Sequence, residues 1–421
     1  MSKRIGLGLC CFALLFLAVS AHRAWSKQQN AGAQRGNAGA QSGAPSGDTS
    51  GSGDVLFAFE GNAAEIPADF TANIPFLPLR IGQSRPSFFV LDSTAATSSI
   101  DPSHAAEIHL TSMQPVALNF SGMSMRFSAF PVVARKDFAS QTGRAYEGTL
   151  GNDFFQQLVV EVDYGRHTVR LYDPATYHYS GQGTVLHLTF ANGVPIVRAK
   201  FIEPKGKNLE ADFAVDTALD ASVVISDRYA EAHRLLRSHW KTVSAVDPEL
   251  DASQTVFVGR LKEFELGRYD ADNAVATVSR ADFPWLSGEK ASGEKIAGVI
   301  GGGMLNRFKV VFDYPHQQMI VEPTPHFADE EEEDKSGISV VARGNTLKNF
   351  EIINVAPGTP AASAGLQKGD IIAGIDTDAA ADLDLAQVRD LFRQVGHKYN
   401  LLIDRGGNTL QITVEMRRLL N

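Results

Sequence analysis

Short apolar runs separated by clusters of Gly, Pro, Asn and Asp fill most of the chain from Val55 onward. Ile74–Ile81, Ser87–Leu91, 158–162 and Thr168–Tyr172 are such runs, rich in Val, Ile, Leu, Phe and Tyr. Branched and aromatic side chains suit a pleated, half-buried surface, and the residues between them supply tight turns. The texture therefore predicts a mainly β body. Helical periodicity is scarce there, with 228–240 as the main candidate. Two stretches break the pattern. Residues 28–53 hold Gly, Ala, Ser, Gln and Asn and almost no large apolar side chain, so 22–54 is expected to be a disordered linker. Asp329 to Asp334 is an unbroken acidic run, expected as a solvated, self-repelling linker over 327–336.

With 421 residues and 44% hydrophobic content, the chain has room for two or three folded units. A net charge of -9 argues against nucleic acid as a partner, because phosphate binding wants a basic face. At the N-terminus, Lys3 and Arg4 precede an apolar run from Ile5 to Val19, and Val19-Ser20-Ala21 offers small residues for cleavage. That is the pattern of a secretory signal peptide over residues 1–21, and it predicts export to a periplasm, a cell envelope or the medium. The run is short for a full span, so membrane contact is expected only if the segment stays uncleaved. Both cysteines, Cys10 and Cys11, lie inside it, and Leu9 before Cys10 argues against lipidation. A cleaved chain would hold no disulfide, no zinc–thiolate site and no thiol nucleophile. His233 and His239 do not fall at a metal-binding interval, and no metal or cofactor is expected.

An internal repeat organises the body. Phe88-Phe89-Val90-Leu91-Asp92-Ser93-Thr94-Ala95 resembles Asp212-Phe213-Ala214-Val215-Asp216-Thr217-Ala218-Leu219. In both, an apolar strand runs into Asp, a hydroxyl residue and a tight apolar continuation. Further on, Gly148-Thr149-Leu150-Gly151 matches Gly298-Val299-Ile300-Gly301, and Val160-Glu161-Val162-Asp163-Tyr164 matches Val310-Val311-Phe312-Asp313-Tyr314. Gly148 to Gly298 and Asp163 to Asp313 share one offset of 150. One offset shared by two separated motifs marks a duplicated unit.

These motifs, in this order, resemble the aspartic peptidases of the retropepsin and pepsin type. The resemblance covers about residues 64 to 324. It implies two retropepsin-like half-barrels, 55–180 and 181–326, forming a pseudo-dimer in one chain. It also implies that Asp92 and Asp216 share a proton around one water, since two close carboxylates cannot both ionise. Ser93 and Thr217 would brace the pair from below. Thr94 and Ala218 stand where the family has Gly, beside the substrate, and Asp220 falls where retroviral-type enzymes have a substrate-binding Asp. Flap tips would come from Phe120-Ser121-Gly122-Met123 in the first half, and from Val258-Gly259-Arg260 or Leu266-Gly267-Arg268 in the second.

After the acidic run, residues 352–372 read as a strand, a Pro-Gly-Thr-Pro-Ala turn, a short helix, Gly-Leu-Gln-Lys-Gly-Asp and another strand. This resembles a bacterial PDZ domain, α+β, over 337–421. Asp384 would cap a helix through Phe392. PDZ domains bind a peptide C-terminus by adding it as a strand. The resemblance places its carboxylate at Gly337, Ile338, Ser339 and Val340, and its side chains near Leu385 and Val388. The expected protein is an exported aspartic endopeptidase acting on proteins or peptides. The alternative is a catalytically inactive, peptide-binding or scaffold relative, because neither Asp is followed by the family's Gly.

Overall fold

A computed structural model describes residues 55–57, 63–237, 240–280 and 296–420. The expected signal peptide, 1–21, the expected linker, 22–54, and His239 lie outside the described residues. No described helix is long and apolar enough to cross a membrane.

The body is mainly β, and its two repeats fold alike. Strand Ser87–Leu91 pairs in parallel with Gly148–Leu150, and Ser99–Ile100 flanks the latter antiparallel. In the second copy, Asn208–Val215 pairs in parallel with Ile296–Ile300, and Val223–Ser226 flanks antiparallel. The repeated glycines have a steric reason. A Cβ on Gly148 would lie 2.1 Å from the Phe89 ring, and one on Gly298 would lie 1.8 Å from the Val224 carbonyl oxygen. No side chain fits at either position between the neighbouring strands. The second strand of each parallel pair, Gly148–Leu150 or Ile296–Ile300, runs into a short helix, Asn152–Phe155 or Gly302–Leu305.

The two copies meet in a shared six-stranded sheet. At its centre Val159–Asp163 pairs antiparallel with Phe308–Asp313, Glu161 opposite Val311 and Asp163 opposite Lys309. Equivalent strands of the two repeats therefore zip to each other. One core cluster then runs through both, including Leu91, Leu150, Phe155, Val215, Ile300 and Phe312.

The C-terminal unit is a separate sheet ordered Ile338–Arg343, Asn349–Val355, Ile371–Ile375, Lys398–Arg405, Asn408–Glu415. Helix Leu385–Phe392 closes it, with Asp384 and Gln387 forming a reciprocal capping box. Its core includes Ile338, Val340, Leu385, Val388 and Phe392.

Two expectations differ from the fold. The helix candidate 228–240 reduces to Asp227–His233 and a short turn Leu235–Arg237, because Arg234 adopts a left-handed φ of 58° that ends the helix. The acidic run is docked rather than free. Arg260, itself buried, donates to Glu333 and to the Glu331 carbonyl; Glu333 also pairs with buried Lys335 at 2.6 Å. Arg418 holds Glu330 at 2.6 Å. Cations spread along the chain neutralise the run and remove the repulsion that would have kept it solvated.

Candidate active site

The first strand of each parallel pair, Ser87–Leu91 or Asn208–Val215, delivers an aspartate at the same point. The Asp92 N–H donates to the Leu150 carbonyl at 2.9 Å, and the Asp216 N–H donates to the Ile300 carbonyl at 2.9 Å. Beneath them a reciprocal lattice joins the repeats. Ser93 Oγ donates to the Val215 carbonyl (2.7 Å) and accepts from the Thr217 N–H (3.1 Å). Thr217 Oγ1 donates to the Leu91 carbonyl (2.6 Å) and accepts from the Ser93 N–H (3.0 Å). Ser93 and Thr217 are fully buried, so each hydroxyl satisfies two backbone groups that no water reaches.

The lattice brings Asp92 and Asp216 within reach of one hydroxyl. Thr94 Oγ1 lies 2.8 Å from Asp92 Oδ1 and 3.3 Å from Asp216 Oδ2. Asp92 Oδ1 also accepts the N–H groups of Thr94 and Ala95, at 2.8 and 3.0 Å. Asp216 Oδ1 accepts the Ala218 N–H at 2.8 Å. The residues in the expected Gly positions thus contact the pair directly: Thr94 through its hydroxyl, Ala218 through its backbone. Burial, and then repulsion from Asp92, push the Asp216 carboxyl up to about 7, against the N–H of Ala218, the charge of Arg135 and the Thr94 hydroxyl. A carboxyl so placed carries a proton at mildly acid pH, and the Thr94 hydroxyl can then donate to Asp92 while accepting from protonated Asp216.

Asp220 has a different setting. It accepts from Asn73 Nδ2 at 2.7 Å, its N–H donates to Glu249 at 2.8 Å, and Arg393 lies 3.9 Å away. The first flap candidate is the turn of hairpin Gln114–Phe120/Met123–Phe130, with Gly122 at a left-handed φ of 82°. In the second half, 258–260 lies inside strand Val256–Arg260, whereas Gly267 turns the hairpin Glu263–Leu266/Tyr269–Asp272.

Sequence reasoning missed three contributors. Arg135 Nη1 donates to Asp92 Oδ2 at 2.7 Å, and its guanidinium lies 4.1 Å over the Phe138 ring. Nothing in the repeat signals it. Tyr164 and Tyr314 are buried, and the acidity of both is weakened by burial and by the nearby aspartates; the Tyr314 hydroxyl donates to the Ser93 carbonyl at 3.5 Å. Their signal was present, since each ends the duplicated Asp-Tyr motif.

In the C-terminal unit, Gly337 has a φ of 86° and donates its N–H to Asp334 at 2.5 Å. The Ile338 N–H donates to Ser336 Oγ, Ser339 Oγ accepts the Val246 N–H at 3.3 Å, and the Val340 carbonyl accepts from Arg389 at 3.2 Å. Leu385 and Val388 are fully buried. Among the described residues no group of three or more His, Cys, Asp or Glu could hold a metal ion.

No curated protein matches the chain. Among solved structures it is similar to the photosystem II D1 C-terminal processing protease, at 26% identity over 21% of this chain and 24% of that one, with a TM-score of 0.19. It spans about a quarter of that protein's length. It is also similar to the aspartic proteinase from Irpex lacteus, at 12% identity over 64% of this chain and 99% of that one, with a TM-score of 0.37. Residues 335–416 match the PDZ domain family model, so the C-terminal unit is a PDZ domain.

Proposed function

We propose that the chain is an aspartic-type endopeptidase built as a pseudo-dimer of retropepsin-like halves, with its PDZ domain binding peptide termini. The observation that carries this is the reciprocal Ser93–Thr217 lattice, which holds Asp92 and Asp216 at one shared hydroxyl. In the reaction, ionised Asp92 takes a proton from a water as its oxygen bonds to the scissile carbonyl carbon. Asp216, protonated, gives its proton to the carbonyl oxygen. The resulting tetrahedral diol collapses with return of a proton to Asp216 and transfer of the other, from Asp92, to the leaving nitrogen, and the C–N bond breaks. Asp92 Oδ1 is already filled by three donors, so Oδ2, which here accepts from Arg135, is the oxygen that would act as base once that guanidinium withdraws.

The test is cleavage of denatured casein by the full chain between pH 4 and 8, with pepstatin as inhibitor. Asp92→Asn and Asp216→Asn are each expected to cost about 10²–10⁴ in rate. Because Asp216 must hold its proton, activity falls as pH rises through about 7. Unchanged cleavage in either variant refutes the dyad. The contacts of Thr94 and Arg135 on Asp92 favour a second reading, an inactive peptide-binding relative; peptide binding with no cleavage under any condition would establish it. We further infer export through residues 1–21, which N-terminal sequencing of the mature protein from a cell-envelope fraction checks.

A further inference from the structure

The groove of the PDZ domain is filled by the body's own chain. Ile338–Arg343 is the edge strand of its sheet, and the free edge faces helix Phe138–Thr142. Ser140 Oγ donates to the Ala342 carbonyl at 2.6 Å. Arg389, on the groove helix, donates to the Gln141 carbonyl at 2.8 Å and to the Val340 carbonyl at 3.2 Å. Gly143 presses on Leu385 so closely that a Cβ there would stand 2.4 Å from the leucine's own. These groups take the place of an added peptide strand.

The carboxylate end of the groove is filled as well. Asp334, the last residue of the acidic run, accepts the Gly337 N–H at 2.5 Å and the Ser336 hydroxyl at 2.6 Å. A ligand's terminal carboxylate would need that same backbone N–H. An internal Asp stands in for it.

The segment filling the groove also closes the candidate active site. Phe138 opens the helix and packs with Phe76, Val90 and Ala218. Three residues earlier, Arg135 lies over the Phe138 ring and donates to Asp92 Oδ2, the carboxylate oxygen that Thr94 and Ala95 leave open. We propose that residues 135–143 are a latch shared by the two sites. A peptide with a free C-terminal carboxylate and an apolar last side chain displaces Asp334 and helix Phe138–Thr142, and so withdraws Arg135 from Asp92. The coupling rests on the peptidase reading of that aspartate. The latch and the ligand compete for one groove, so the ligand binds the open state alone, and its binding must shift the chain toward it.

The experiment uses the full chain and a dansyl-labelled decapeptide ending in Ala-Val with a free carboxylate, its C-terminal amide serving as control. Binding is read by anisotropy, opening by amide exchange across 138–143, and cleavage with an internally quenched, C-terminally amidated substrate. The free acid is expected to bind, to accelerate exchange at 138–143, and to raise kcat/KM about tenfold or more. The amide should do none of these. Arg389→Ala and Arg135→Ala are expected to raise basal cleavage and to blunt the response to peptide. Failure of the free acid to bind, or saturating binding that leaves 138–143 as protected as before, overturns the latch. Faster exchange with no cleavage, in Arg135→Ala as well, upholds the displacement and overturns the peptidase reading instead.

Discussion

Thr217→Val removes one oxygen from the most buried part of the lattice while keeping the branched shape of the side chain. The Leu91 carbonyl loses its donor at 2.6 Å, and the Ser93 N–H loses its acceptor at 3.0 Å. Leu91, Ser93 and Thr217 are all inaccessible, so water cannot substitute. Leaving each buried group unpaired costs about 1–3 kcal/mol, which gives about 2–6 kcal/mol for the pair. The lattice is reciprocal, so Ser93→Ala orphans the Val215 carbonyl and the Thr217 N–H and should cost a similar amount. Thr217→Ser keeps the hydroxyl and should cost only about 1 kcal/mol for the lost methyl group. Urea unfolding at one fixed pH measures all three. With an unchanged slope, the first two midpoints should fall together and well below that of Thr217→Ser. A Thr217→Val variant as stable as Thr217→Ser would refute the claim that these hydroxyls join the halves. So would Ser93→Ala and Thr217→Val costs that differ severalfold.

The raised pKa of Asp216 makes the folded state lose stability as pH rises. The unfolded carboxyl releases its proton near its ordinary 3.8, whereas the native one holds it to about 7, so stability is fully present below the first value and falls between the two. The full span corresponds to about 4 kcal/mol, and partial solvent access reduces it to about 2–4 kcal/mol. Asp216→Asn should therefore lose less thermal stability than the wild type between pH 4 and pH 8, and parallel curves would contradict this. Glu249, pushed up to about 8 by burial and by Asp220 and Asp247, leaves a residual slope of the same sign in that variant. Arg260→Met takes the donor from the Glu331 and Asn273 carbonyls and one of two cations from Glu333, Lys335 being the other, and should destabilise the chain by about 1–3 kcal/mol in urea unfolding. A near-neutral effect would mean that the acidic run is not held by that residue.

The repeat was legible because close packing forces it. Gly148 and Gly298 lie where neighbouring strands pack too tightly for a side chain, and the Asp-Tyr motifs close the strands that zip the copies together. Such constraints act on residue type at a position, so they survive in the sequence. Arg135 is different. It belongs to a single unrepeated connection, and its role exists only because the chain brings it back over Asp92, 43 residues away. The acidic run misled for the opposite reason: its charge is visible in the sequence, but its neutralising partners, Arg260 and Arg418, are scattered. The length of helix Asp227–His233 turned on one dihedral at Arg234, where nothing in the residue type demands a left-handed conformation.

The zipped strands at the centre of the body also set a condition on synthesis. Val159–Asp163 is buried along its whole length, yet its partner, Phe308–Asp313, emerges roughly 150 residues later. At roughly 5–20 residues per second, the ribosome leaves that edge unpaired for on the order of ten to thirty seconds. An open apolar edge is a template for pairing with another nascent chain. The strand carries Glu161 and Asp163 among its valines, and two negative charges within five residues repel an identical strand in register. Carboxylates that are costly to bury in the finished protein thus guard the interval in which it is half made.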